Sequence, residues 1–254
     1  MHRAFVARVP YEALAVQLQE FAPLDARALV ARVLRGGRGG YCFEINTVLL
    51  TLLESCGFEV ERRAAVVGAR DAWACGEPVN HLTLVVQTPD GGPFIADAGL
   101  GEGVLDPLPL AAGRVFSDAF CLTIERDGDG WWVGQHEFGS VPGFRFGDAR
   151  QPLSAFGAHH ERLSTSPESS FVQTLVVQRP AADRIVTLRA RTLFSDGPGR
   201  RERTVLDGPQ AFCAVLEDSF GIAPDVLGPA RLARLWGNAC EQHRAHQLGG
   251  EDAA

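Results

Sequence analysis

Cys42 sits in the run Arg38-Gly-Gly-Tyr-Cys-Phe-Glu-Ile-Asn46, His81 opens His81-Leu-Thr-Leu-Val-Val-Gln-Thr88, and Asp97 closes Pro93-Phe-Ile-Ala-Asp97. A thiol, an imidazole and a carboxylate are the groups from which a nucleophile, its base and an orienting anion are made. In such a set His81 takes the proton of Cys42. Asp97 fixes the imidazole tautomer and stabilises its charged form, and the sulfur attacks an acyl carbon to give a thioester.

The elements that must position these groups can be read from patterning. Ile45, Leu49, Leu52 and Leu53 recur at helical spacing, with Gly57 as the stop, so a helix is expected from about Phe43 to Cys56. Cys42 then lies in or just before the first turn, where free N–H groups and the helix dipole favour negative charge on sulfur. Gly39 and Gly40 allow backbone or a ligand to approach closely. His81 and Asp97 flank two strand-like runs joined by Pro89-Asp-Gly-Gly92, a turn signal. A turn centred near 89–91 sets the two side chains opposite or nearly opposite each other on one face, at roughly 5 Å between directly opposed Cβ atoms. A slip of one residue would separate them.

Elsewhere the pattern is helical to about residue 57, with Pro10 opening a helix over Tyr11–Gln19 and Asp25 capping a second that ends near Gly36. Strands are expected from Phe58 to about Val141: over Val60–Val67, in the 81–97 hairpin, and from Phe120–Ile124 through Asp127-Gly-Asp-Gly130 to Trp131–Val133. Residues 142–170 read as irregular. Two strands follow near 184–194 and 200–206, then a helix over about 209–220 stopped by Gly221, a last helix over about 229–247, and a frayed tail from Gly249 to Ala254. Helices, then strands, then mixed elements give an α+β class: a helical domain over 1–57, an antiparallel β-barrel over 58–165, and an α/β lid over 166–254.

Composition narrows the chemistry. The chain has 254 residues, 46% hydrophobic and 22% charged, enough for a sizeable core. A net charge of −7 argues against nucleic acid. Without an 18-residue apolar run, no membrane span is indicated. The N-terminus lacks the apolar centre of a secretory signal, so a cytoplasmic enzyme is expected. All 24 basic residues are arginine. That excludes a Schiff-base lysine and a Walker-type phosphate loop. Six cysteines with no Cys-x-x-Cys spacing argue against structural zinc and suggest free thiols; Cys56, Cys121 and Cys213 sit in apolar runs and are expected in cores.

Several signals are set aside. Arg35-Gly-Gly-Arg-Gly-Gly40 feeds an apolar helix in an acidic chain, unlike an RNA-binding tract. Gly99-Leu-Gly-Glu-Gly103 reads as a turn rather than a dinucleotide loop. His243 and His246 read as a solvated helix face, His159-His160 as a polar loop pair, and Trp131-Trp132 as cross-strand packing.

The Cys42 run, Asn80-His-Leu-Thr-Leu-Val85 and Phe94-Ile-Ala-Asp-Ala-Gly-Leu-Gly101 resemble three signature segments of the arylamine N-acetyltransferase family, in order and spacing. Ser164-Thr-Ser-Pro-Glu-Ser-Ser-Phe171 is similar to a fourth, and the resemblance spans most of residues 5–225. It implies a cysteine-protease-like triad of Cys42, His81 and Asp97, acetyl-coenzyme A as donor substrate with no permanently bound cofactor or metal, and ping-pong transfer to an arylamine, hydrazine or hydroxylamine. It also implies that Arg38 pairs with Glu12. The family's Pro-Phe-Glu-Asn is Pro10-Tyr-Glu-Ala13 here, and its Phe after Asp-Val-Gly is Leu100. Both positions line the acceptor pocket in relatives, so Tyr11 and Leu100 imply a pocket of altered polarity and width. On usual element lengths the chain begins about one helical hairpin late. Coenzyme contacts are expected from the loop after Gly99 and from the third domain.

Three other readings compete. An amide synthase would keep the fold and take its acyl chain from a carrier-protein thioester. A cysteine hydrolase would resolve the acyl-enzyme with water. A binding protein on the same scaffold is opposed by the intact set Cys42, His81 and Asp97.

Overall fold

The computed structural model describes residues 1–89 and 91–251. Asp90, inside the expected turn, and residues 252–254 of the expected frayed tail lie outside the described residues.

The chain opens with helix α1 (His2–Val6), a two-residue strand β1 (Tyr11–Glu12), one helical turn α2 (Leu14–Gln17), and helices α3 (Ala26–Gly36) and α4 (Cys42–Ser55). Asp25 caps α3 by accepting from Ala28 N at 2.7 Å, and Gly37 ends it in the left-handed region at φ +61°. The helix expected over Tyr11–Glu12 is absent. Glu12 N donates to the Gly40 carbonyl at 3.0 Å, and Tyr11 and Glu12 pair with Gln178 and Val177. Two partners hold this backbone extended, and tertiary pairing overrides local propensity.

Eight antiparallel strands follow: β2 (Glu59–Val67), β3 (His81–Thr88), β4 (Gly92–Ile95), β5 (Leu108–Pro109), β6 (Gly113–Ser117), β7 (Phe120–Asp127), β8 (Gly130–Gly134) and β9 (Gly143–Arg150). They form one sheet in the order β5-β4-β3-β2-β9-β8-β7-β6, curved into a nearly closed barrel. Strand β9 corrects the irregular reading of residues 142–150: it joins β2 to β8. Its glycines hid it. A Cβ on Gly143 would lie 2.2 Å from the Val133 carbonyl, so the close strand approach requires the residue that weakens the sequence pattern.

After a 3-10 turn at Leu153–Phe156 come α5 (Gly157–Thr165) and α6 (Ser170–Gln173). Strands β10 (Val176–Pro180), β11 (Ile185–Arg189), β12 (Thr192–Gly197) and β13 (Arg200–Val205) then build a second sheet in the order β1-β10-β11-β12-β13. The single strand expected over 184–194 is two, reversed at Ala190 with φ +50°. Helices α7 (Pro209–Phe220), α8 (Pro224–Leu227) and α9 (Pro229–Glu251) complete the described chain, and Gly221 stops α7 at φ +72°. The fold is the α+β arrangement of helices, antiparallel barrel and α/β unit.

Three cores hold these layers. Phe43, Ile45, Val48 and Leu49 of α4 are fully buried against Leu82 and Leu84 of β3. At about 1.5–3 kcal/mol for each fully buried large apolar side chain, this contact anchors the helix carrying Cys42 to the strand carrying His81. A second core fills the barrel around Phe120, Ile124 and Phe146. The third joins Leu14 and Leu18 to Leu188, Phe212 and Leu216, so the first segment of the chain is built into the last layer. Cys56 is exposed, and Cys121 and Cys213 are half-buried, so none of the three is a core residue as expected; each lies where its element turns toward solvent. Among the described residues no helix is long and apolar enough to cross a membrane.

Candidate active site

Cys42 is the first residue of α4 and is 2% exposed. The glycines before it are sterically required. A Cβ on Gly39 would lie 1.8 Å from the Pro10 carbonyl, and one on Gly40 would lie 2.7 Å from Glu44 Oε2 and from Arg32 Nη2. Glu44 reaches back to accept from Tyr41 N at 3.2 Å and receives Arg32 Nη1 at 2.9 Å, fixing the start of the helix. Glu44 N and Ile45 N of this first turn donate to the Tyr41 carbonyl, which leaves the N–H groups of Cys42 and Phe43 without a helix carbonyl to serve. Cys42 Sγ donates to the Asn80 carbonyl at 3.5 Å, and the His81 ring, carried by the next residue, is near enough to feel its charge.

His81 is the first residue of β3 and is buried. Asn80 sets its position, accepting from Val67 N at 2.7 Å and donating to Val67 O at 3.0 Å. His81 Nε2 lies 2.7 Å from Asp97 Oδ2, which leaves Nδ1 for the sulfur. The two residues are not a directly opposed pair. Register across β3 and β4 runs Val85 to Ile95 and Val86 to Phe94, and β4 ends at Ile95. Asp97 is therefore two residues off direct opposition to His81, which keeps it on the same face.

Burial alone would lower the His81 pKa. The Asp97 carboxylate, its hydrogen bond and the contact with Cys42 outweigh burial and push it up to about 10. Burial alone would raise Asp97. The charge and hydrogen bond of His81, with help from Asn46, hold it below the ordinary carboxylate range. Together these shifts favour the charged imidazole against the ionised carboxylate.

Asn46 organises the site, and sequence patterning passed over it. Its Nδ2 donates to Asp97 Oδ1 at 2.8 Å and to Leu82 O at 2.6 Å, while its Oδ1 accepts from Ala98 N at 2.9 Å. Gly99 N donates to the same Asp97 oxygen at 2.8 Å. The only signal was its place one turn after Cys42 on the same helix face.

A cleft of about 1000 Å³ opens over Cys42 and His81 and runs between the barrel and the second sheet. Tyr11 and Leu100 both line it near the sulfur, and Phe171 faces Tyr11 at 6.4 Å between ring centroids. Farther out the walls carry Arg189, Arg203 and His243. His243 is buried and bonded to Thr192 Oγ1 at 3.4 Å, so the reading of a solvated helix face holds for His246 but not for it; α9 turns this side toward the sheet. Arg38 and Glu12 meet beneath the Cys42 loop, Nε to Oε1 at 2.8 Å and Nη2 to Oε2 at 3.1 Å. His159-His160 lies in helix α5, not in a loop. His160 is buried, donates from Nε2 to Ala22 O at 2.8 Å, and accepts a short hydrogen bond from the Tyr41 hydroxyl, which ties the residue before Cys42 to α5. Among the described residues no three His, Cys, Asp or Glu groups are placed to hold a metal ion.

Comparison with known proteins identifies the family and the fold. Residues 1–226 match the family described as N-acetyltransferase. The chain is 32% identical over 209 residues to the arylamine N-acetyltransferase of Mycolicibacterium smegmatis, covering 79% of this chain and 75% of that one. The solved arylamine N-acetyltransferase of Mycobacterium marinum superposes with a TM-score of 0.82 at 27% identity, covering 94% of this chain and 90% of that one. The same enzyme solved in complex with CoA gives 0.81 at 26% identity, covering 94% and 89%. With the family match spanning most of its length, the chain belongs to the arylamine N-acetyltransferase family of acyltransferases.

Proposed function

We propose that this chain transfers an acetyl group from acetyl-coenzyme A to an arylamine, arylhydrazine or N-hydroxyarylamine, in two half-reactions through an acetyl-Cys42 thioester. The observation that carries this reading is the juxtaposition of Cys42 with His81 in the wall of one cleft, the imidazole held at 2.7 Å by the buried Asp97 carboxylate. In the first half-reaction His81 holds the proton from Cys42 while the sulfur attacks the acetyl carbonyl. Free N–H groups at the start of α4 stabilise the oxyanion, and His81 returns the proton to the departing coenzyme A sulfur. In the second, the amine nitrogen attacks the thioester, His81 takes the amine proton, and the Cys42 sulfur leaves. Asp97 holds the imidazole in one tautomer throughout. The M. marinum relative solved with CoA supports the choice of donor. Residues 1–57 supply the nucleophile in this scheme, residues 58–165 the base and its orienter, and residues 166–254 the outer wall of the cleft.

Incubation with acetyl-coenzyme A in the absence of amine, followed by intact-mass measurement and peptide mapping, tests it. One acetyl group on Cys42, discharged by added arylamine, is the expected result. An unmodified Cys42 in folded protein overturns the proposal.

A further inference from the structure

Glu102 is a carboxylate built into the wall of the cleft, 8% exposed, beside Tyr11 and Leu100. Its Oε1 accepts from Gln178 Nε2 at 2.8 Å, and its Oε2 accepts from Ser140 N. Gln135 Nε2 donates to its backbone carbonyl at 2.9 Å. The residue before it is wedged in place. A Cβ on Gly101 would lie 2.3 Å from Gln178 Oε1 and 2.7 Å from Tyr11 Cδ1. Strands β1 and β10, through Tyr11 and Gln178, thus clamp the backbone that presents Glu102. The carboxylate makes no ion pair among the described residues; Arg189 and Arg201 line an adjoining recess without reaching it. A carboxylate offers about four acceptor sites, and two are used here. The Tyr11 hydroxyl has its pKa raised by burial first and then by the surrounding negative groups, Cys42 foremost and Glu102 among them.

We infer that Glu102 selects the acceptor: it favours aromatic amines bearing a cationic group rich in N–H donors, remote from the reacting nitrogen, over aromatic amines bearing an anion. The inference rests on the acetyl transfer proposed above. The physical argument is local. An acceptor whose amine meets the thioester at Cys42 extends its ring past Tyr11 and Leu100, and the fixed charge on that wall is Glu102. A cation there gains a charge-assisted hydrogen bond with a carboxylate already held in place by Gln178 and Ser140. A carboxylate there meets a like charge that cannot swing away, because both its oxygens are tethered.

The test uses three para-substituted anilines of similar shape: 4-aminobenzamidine (cationic), 4-aminobenzamide (neutral) and 4-aminobenzoate (anionic). Coenzyme A release without amine reads acetyl-Cys42 formation, and discharge of that acyl-enzyme by each amine gives its kcat/KM. If no acetyl-enzyme forms, the transfer reading fails. If it forms, the Glu102 inference stands or falls on the amines. The amidine-to-benzoate ratio is expected to fall about tenfold or more from wild type to E102Q, a comparison that cancels the amines' own nucleophilicities. Equal ratios in the two proteins overturn the inference. If E102Q fails to fold, E102D retains the charge one methylene farther back, and the ratio is expected to fall less; an unchanged or larger ratio overturns the inference.

Discussion

The amide of Asn46, one turn into the helix that begins at Cys42, holds the Asp97 carboxylate at 2.8 Å while its carbonyl receives Ala98 N at 2.9 Å. A single side chain therefore ties the helix that begins at Cys42 to the loop that carries Asp97. Asp97 needs this because it lies beyond the last ladder pair of β4, where no strand neighbour fixes it.

Asn46→Ala removes three buried hydrogen bonds and strands their partners. At about 1 kcal/mol per bond, it is expected to cost about 3 kcal/mol, or a Tm lower by about 6–12 °C. Activity at a temperature where the variant is still folded should fall by at least about tenfold, since Asp97 is then free to turn from His81. Calorimetry paired with acetyl-enzyme formation rates checks both; a stability loss with full activity would show that Asp97 orients itself.

Gly99→Ala places a Cβ 2.6 Å from Asn46 Nδ2 and 2.7 Å from Cys42 Cα. Backbone of a packed helix cannot retreat, so the loop must move. Transfer should fall by about a hundredfold, the effect of misplacing a reacting group by about 1 Å. Circular dichroism should stay close to wild type, because the shift is confined to the loop.

Arg38→Ala leaves Glu12 buried without its cation and is expected to cost about 3–5 kcal/mol. Burial alone would raise the Glu12 pKa, but the Arg38 charge and hydrogen bonds overcome it and hold the carboxyl below 4.5. A depressed carboxylate contributes stability that is present above its unfolded pKa and lost as pH falls through its folded value. Wild type and R38A should therefore converge in stability as pH falls below the ordinary carboxylate range, measured by urea unfolding across pH.

The His81 pair runs the other way. Its folded pKa, about 10, lies above the unfolded 6.5. The stability it adds over His81→Gln is complete below about pH 6.5 and shrinks as pH rises toward 10. Urea midpoints of the two proteins at pH 6, 8 and 10 test the sign; a difference that grows with pH contradicts the charged pairing.

Patterning raised Cys42, His81 and Asp97 as a possible set, the turn signal left the parity of the hairpin open, and the resemblance of the three segments that carry them decided the choice. His81 and Asp97 were expected opposite or nearly opposite, and they are nearly opposite: the β3–β4 register sets Asp97 two residues from direct opposition, on the same face. Asn46, Glu102 and His160 were not legible as site residues for one shared reason. Their partners lie far away in the chain, and a polar side chain reads the same in sequence whether it faces water or a buried carbonyl. Strand β9 escaped because close packing demanded Gly143, and glycine signals a loop when burial is unseen. Tyr11 and Glu12 were misread for the opposite reason: their helical context is local, whereas the two strands that capture them come from Gly40 and from β10.

Strand β1 is only two residues long, yet it is stitched on one edge to the loop before Cys42 and on the other to the second sheet. It works as a rivet through the narrow end of the cleft. The outer wall cannot swing away from the sulfur as a rigid flap without first shearing backbone hydrogen bonds, so the aperture at Cys42 has a fixed gauge. In the transfer proposed above, adjustment to a bulkier acyl group or amine is left to side chains that line the cleft, Tyr11, Leu100 and Glu102 among them, exchangeable bushings set in an unyielding frame.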